Sequence, residues 1–341
     1  MKKYIIICLL SILLIMGCKG LFFESEPANT PVGNFMELWT TFSEKYAVFE
    51  QRNVDWDEQF AIYKPQVDEN TSDDDLHNVL TSMLASLDDG HVSLFAPGKE
   101  FWNGHQEFRE PTALGLFSFD LIVNTYLGGD FTNLSNQIVY GVINNEIGYI
   151  FINHFRGDEL SVIDEILEGM KDLKGIIIDL RRNGGGDFSN GQVVVARFAD
   201  QRRLAFSAKP KNGPDRNDFA DPVDYFIEPG GSFQYAGPVM VLTDRYTLSA
   251  GESVVLFFRV LPNVTVIGER TSGAMGERIE KELPNGWIYS ITGQVIIAAD
   301  GNIYEGPGIP PDIEEINTVT EINSGMDRVL EKAMATINEQ Q

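Results

Sequence analysis

The residues best placed for covalent chemistry lie in Thr247-Leu248-Ser249-Ala250-Gly251-Glu252. Before them runs an apolar, β-branched stretch, Pro238 to Thr243, and after them Ser253 to Val260 is apolar up to Pro262. The first stretch reads as a buried strand and the second as a core helix. Ser249 is therefore expected at a strand-to-helix turn, its hydroxyl exposed on rigid backbone. The N–H groups that follow lack intrahelical acceptors and point at whatever fills the turn. That is a place to build an acyl-transfer site. The same residues also fit a capping box, in which Ser249 only closes the helix.

A second stretch, Asp179-Leu180-Arg181-Arg182-Asn183-Gly184-Gly185-Gly186, follows another buried strand and precedes a helix. Its glycines let the backbone turn tightly and aim N–H groups outward. Neither a Walker lysine nor spaced dinucleotide glycines accompany them, which weakens a phosphate cradle. An oxyanion hole beside Ser249 is the other functional reading, and a plain turn is the bland one.

A serine nucleophile ordinarily needs a base, and there are four histidines. His77 falls on a helix among aspartates and His105 in a glycine-containing loop. His154 ends a strand, and His91 sits in the turn Asp89-Gly90-His91. Spacing leaves the base open between His91 and His154. A carboxylate to orient it is available in Glu305, within Tyr304-Glu305-Gly306-Pro307-Gly308, where one solvent-exposed glutamate is the bland reading. No histidine pair has metal-ligand spacing, so neither metal nor cofactor is expected.

Several elements must position these groups. Phe35, Leu38, Trp39 and Phe42 recur at helical spacing, and helices are expected over Trp56 to Tyr63 and from Ser72 to Leu87. Residues 33–96 thus read as a small helical unit, and 97–145 as irregular connecting β pieces broken by glycines. From 146 to 341 strands alternate with helices, which implies an α/β layered core with parallel pairing. A helix is expected over Ser161 to Leu173, a hairpin or edge ribbon over Trp287 to Ala299, and a closing helix over Ser324 to Ile337.

At the N-terminus, Lys2-Lys3, an apolar run from Tyr4 to Met16 and Gly17-Cys18 resemble a bacterial lipoprotein signal over residues 1–18. Cys18 would carry the lipid and residues 19–32 would form a tether. The expected location is the cell envelope, with the membrane as a partner through that anchor. Both cysteines, Cys8 and Cys18, lie in this region, so the body holds neither disulfide nor thiol nucleophile. The net charge of −24 argues against nucleic acid as a partner.

Taken in order, the Asp-Gly-His turn, the Asp-Leu-Arg-Arg-Asn-Gly-Gly-Gly strand end, the Ser-Ala-Gly-Glu helix start, Gly268-Glu269-Arg270-Thr271-Ser272-Gly273 and the Glu305 to Asp312 segment resemble one family. It is the tail-specific (C-terminal processing) serine peptidase superfamily, on its tricorn-core and interphotoreceptor retinoid-binding protein side. The resemblance covers residues 33–338 and implies a layered ββα-type core with a crotonase-like sheet. It also implies peptide-bond hydrolysis of a polypeptide substrate through Ser249, His91 and Glu305, with Ala250 and Gly185 or Gly186 as oxyanion donors. Ala274 stands where the serine–lysine branch carries its lysine, and Gly90 stands where the tricorn core has a relay serine. Residues 97–145 are too few for the PDZ domain of many relatives (roughly 80–100 residues against the usual domain sizes). The alternatives are an apolar-ligand binder or a non-catalytic protein-binding scaffold on the same fold.

Overall fold

The computed structural model describes residues 27–157 and 162–340. The signal segment with Cys18, much of the expected tether and Ser161 lie outside them. Among the described residues no helix is long and apolar enough to cross a membrane.

Helix α1 (Pro31–Lys45) starts inside the segment expected to be tether. Thr30 accepts the Gly33 N–H at 3.1 Å, and Pro31 occupies a first-turn position that needs no donor. Helices α2 (Phe49–Arg52), α3 (Trp56–Tyr63) and α4 (Asp73–Ala85) follow, the last two capped by Asp55 and Ser72. The aromatic stripe is core: Phe35, Leu38, Phe42 and Trp56 are fully buried, in one cluster with Trp287, Tyr289 and Ile291 from late in the chain.

Strands β1 (Ser93–Phe95) and β2 (Trp102–Asn103) come next. The connecting region is less β-like than its sequence suggests. It holds a helical turn at Gln106–Arg109 and helical residues from Phe119 to Tyr126 before the hairpin β3 (Phe131–Leu134) and β4 (Ile138–Ile143). Ser118 caps the Leu121 N–H, and Ile122, Val123 and Leu127 bury one face, so tertiary packing overrides the glycine-broken pattern.

The rest alternates as expected: β5 (Ile147–Ile152), α5 (Ile163–Met170), β6 (Gly175–Asp179), α6 (Phe188–Val195), β7 (Arg203–Pro210), β8 (Val223–Ile227), β9 (Val239–Thr243), α7 (Ala250–Arg259) and β10 (Val264–Gly268). Then come β11 (Arg278–Glu282), β12 (Ile288–Thr292), β13 (Gln294–Ala298), β14 (Ile313–Glu314), α8 (Val319–Asn323) and α9 (Arg328–Glu339). The main sheet has the order β14-β10-β9-β6-β5-β4-β3, parallel from β14 to β5 and antiparallel beyond. Every residue of β5, β6 and β9 is buried, as a sheet covered on both faces requires. Ile176 and Ile178 meet α5, α6 and α7 on one side, while Ile177 meets α9 on the other. The architecture is thus mixed α/β.

Two late expectations need correction. Residues 287–299 do not fold back on themselves. β12 pairs with β11 and β1, whereas β13 pairs with β7, and the chain changes sheets at Gly293, packed against Ile279 with no room for a side chain. The hairpin is β11–β12, hidden in sequence because β11 reads Arg-Ile-Glu-Lys-Glu. The closing helix starts later than Ser324, at Arg328 with Asp327 as N-cap, and a separate short helix, α8, precedes it and ends before Gly325 at φ 88°.

A buried ionic group ties α9 to the end of β6. Arg181 Nη2 donates to Asp179 Oδ2 at 2.6 Å, where Tyr149 joins it, and Nη1 donates to Asp327 Oδ2 at 2.8 Å, with Asn317 on the other Asp327 oxygen. Arg181→Ala would leave two buried carboxylates facing each other. It is expected to cost about 3–5 kcal/mol in urea denaturation, and a loss within about 0.5 kcal/mol of zero, the range of ordinary surface substitutions, would contradict that role.

Candidate active site

Strand β9 delivers the chain to a loop fastened to the end of β6. Thr247 Oγ1 donates to the Leu180 carbonyl at 2.9 Å, and the Leu248 N–H to that of Asn183 at 2.9 Å. Ser249 then adopts φ 59° and ψ −122°, a conformation that costs a residue with a side chain about 1–3 kcal/mol. Glu252 holds it there. Its buried carboxylate accepts the N–H groups of Ser249 (3.1 Å), Gly273 (2.7 Å) and Ala274 (3.0 Å) and the Thr271 hydroxyl (2.6 Å). Burial raises its pKa, and those four donors oppose the rise. Glu252 thus makes the reach-back bond of a capping box whose N-cap is Ser249, held outside the extended conformation usual for that position.

The glycine turn packs directly on this serine. Gly185 and Gly186 have φ 81° and 135°, and a Cβ on Gly185 would stand 2.8 Å from that of Ser249. The Gly185 N–H is engaged by Asn183 Oδ1 at 2.9 Å. Among the described residues the N–H groups of Gly186 and Ala250 have no acceptor. Both residues line, with Ser249, a cleft of about 370 Å³ whose other walls include Phe188, Phe206, Tyr225 and Met275.

The Asp89-Gly90-His91 turn lies against the serine loop: a Cβ on Gly90 would be 3.1 Å from Leu248 and 3.2 Å from Ala274. Asp89 accepts the His91 N–H at 2.8 Å, and the hydroxyls of Tyr46 and Thr292, each at 2.7 Å. The His91 imidazole is buried beside the Gly276 backbone, and Nδ1 has no hydrogen-bond partner among the described residues. Burial lowers its pKa to about 4 against the opposing pull of Asp89.

Glu305 is buried as well. One oxygen takes Arg52 Nη2 at 2.6 Å, and the other takes the N–H groups of Met275 (2.9 Å) and Gly276 (3.1 Å). Burial and the Asp89 charge push its pKa up to about 7, opposed by Arg52. The structure joins neither His91 to Ser249 nor Glu305 to His91 by a hydrogen bond. Glu305 and His91 meet instead at Gly276, one on its N–H and the other beside its backbone.

The other histidines are occupied locally. His154 Nδ1 accepts the Arg156 N–H, His105 Nδ1 accepts the Glu107 N–H, and His77 lies edge-on to Trp287. Ala274 puts a carbonyl on the Ser249 N–H at 3.2 Å, and Lys281 lies in an exposed part of β11. Sequence reasoning missed Arg52, Tyr46 and Asp89 as supports. Only Asp89 carries a local signal, through its place in the Asp-Gly-His turn.

Against known proteins, residues 146–315 match the model of peptidase family S41, and residues 27–85 that of the tricorn protease C1 domain. The chain is 30% identical to a solved candidate peptidase from Parabacteroides merdae, with a TM-score of 0.83 over 91% of this chain and 97% of that one. It is 27% identical over 172 residues to the carboxy-terminal processing protease CtpA of Bacillus subtilis, covering 50% of this chain and 35% of that protein. It is 29% identical over 154 residues to the nisin-resistance protein of Lactococcus lactis, covering 42% and 46%. The chain belongs to peptidase family S41, the serine-peptidase family of the C-terminal processing and tricorn proteins. The aligned part is less than half of either curated relative.

The raised pKa of Glu305 has a defined sign in stability. Between the ordinary value of 4.5 and about 7 the folded chain holds a proton that the unfolded chain has lost, so stability falls as pH rises through that window. The thermal midpoint of wild type is expected to fall between about pH 5 and about pH 8. Glu305→Gln should flatten that dependence, and an unchanged slope would sink the assignment.

Proposed function

We propose that the chain is an exported, lipid-anchored serine peptidase acting on polypeptides. Ser249 attacks the scissile carbonyl, and His91 takes its proton and returns it to the leaving amine. The Ala250 and Gly186 N–H groups receive the oxyanion; removing one such donor typically costs ~2.7–4 kcal/mol of barrier. Glu305 steadies His91 through Gly276, by fixing the peptide beside the imidazole. Cys18 carries the lipid that keeps the enzyme at a membrane of the cell envelope.

The observation that carries this reading is the strained Ser249 beside two unengaged N–H groups in one cleft. Burial also keeps His91 unprotonated at neutral pH, as a base must be. The aromatic lining of the cleft and the missing Ser249–His91 bond favour a second reading, an apolar-ligand binder on the same fold.

Fluorophosphonate labelling followed by mass spectrometry separates the two. The adduct is expected on Ser249, absent in Ser249→Ala, and formed at least ~10²-fold more slowly in His91→Ala. In wild type the labelling rate should hold as pH falls and be lost only through about 4, where His91 takes its proton. Well-folded wild type that never labels would leave the binder. For the anchor, Cys18→Ser is expected to move the protein from the detergent to the aqueous phase on partitioning, and no shift would refute the lipid.

A further inference from the structure

The sheet β13-β7-β8 is a partition between two cavities. On β13, Gln294 and Ile296 face the Ser249 cleft. Val295 and Ile297, on the opposite face of the pleat, line a second cavity of about 660 Å³. Its other wall is the N-terminal helical unit, through Tyr46, Phe49 and Gln51.

Charge is divided across this cavity. Glu50 and Glu58 stand on the helical side, and neither has an ion-pair partner among the described residues. Lys209 stands on the other side, and Arg216 bridges from it to the helical wall. Lys209 lies 4.8 Å from the Phe219 ring centre and Arg216 5.6 Å from that of Phe49, with Asp57 beside Arg216 at 2.9 Å. The lining also includes an apolar floor of Phe219 and Val295. Gln51 Oε1 is buried and has no hydrogen-bond partner among the described residues, so its desolvation is not offset within the chain.

We propose that this cavity binds a short peptide with free termini and that its occupancy tunes the Ser249 site. The ammonium faces Glu50 and Glu58, the carboxylate faces Lys209, and an apolar side chain covers the floor. A peptide N–H satisfies Gln51. The volume lies within the roughly 300–1,000 Å³ usual for ligand pockets. Two connections reach the site. Strand β13 is a wall of both cavities, and Tyr46 lines this one while its hydroxyl donates to Asp89, which holds the His91 N–H. Peptides with free termini are what a peptidase releases, so the regulatory half rests on the reading under Proposed function; the binding half does not.

Calorimetric titration of full-length Ser249→Ala protein with the tripeptide Ala-Phe-Ala tests the site. Its N-acetylated, C-amidated form is expected to bind at least about tenfold more weakly, a loss of about 1.4 kcal/mol. Lys209→Ala and Glu58→Ala should each weaken the free peptide at least about threefold. Equal binding of the two forms, or binding unchanged in both variants, would overturn the site. So would loss of binding after wild type has been blocked with the fluorophosphonate, since the peptide would then belong to the cleft. With saturating peptide the labelling rate of wild-type Ser249 is expected to rise at least about threefold, and an unchanged rate would overturn the coupling. If Ser249 never labels, the peptidase reading fails while the titration still decides the site.

Discussion

One guanidinium holds the parts of this molecule in register. Arg52, at the end of a single helical turn, donates to the carbonyls of Asp88 (2.7 Å) and Gly273 (2.6 Å) and to Glu305 (2.6 Å). The Asp88 bond fixes the turn that carries His91. The Gly273 bond fixes the loop whose next residue, Ala274, accepts the Ser249 N–H. The Glu305 bond fixes the carboxylate that orders Met275 and Gly276. A planar, always-charged fork can make these bonds at once, whereas an ammonium offers a single point charge. The positions of Ser249, His91 and Glu305 therefore depend on a side chain from outside the α/β core.

The surroundings of His91 set two requirements against each other. Burial keeps the ring neutral and ready to accept a proton, and it also makes the resulting imidazolium costly. Asp89 is the countercharge, itself buried and held ionised by Arg52 despite that burial. Tyr46 and Thr292 complete its hydrogen bonding, so the negative charge beside His91 stays fixed in place.

Much of the fold was legible because its signals are local. The strand before Ser249, the helix after it and the alternation around β5, β6 and β9 each follow from apolar runs bounded by breakers. What was not legible depends on contacts distant in sequence. No periodicity in 287–299 reveals that successive strands join different sheets, because their partners β1, β11 and β7 lie elsewhere in the chain. A charged strand such as β11 gives no apolar signal. At the site, the serine turn and the glycine turn announce themselves by residue type. Arg52 does not, since an arginine after an aromatic stripe looks like any solvated helix end. Spacing left His91 and His154 open, and only the placement of Gly90 against Leu248 and Ala274 shows which turn touches the serine loop.

The pairing of Arg52 with Glu305 spans 253 positions of chain. Phe42 and Trp56 likewise share a core with Trp287 and Tyr289, so the first helices complete their packing only after the last strands exist. Contacts of such separation form late, after loop closure has been overcome. A chain still emerging from the ribosome holds Ser249 without the support of Glu305, and holds His91 without a fixed turn. Assembly thus acts as a timer: the geometry around Ser249 arises once, when the first helices and the last strands are both present.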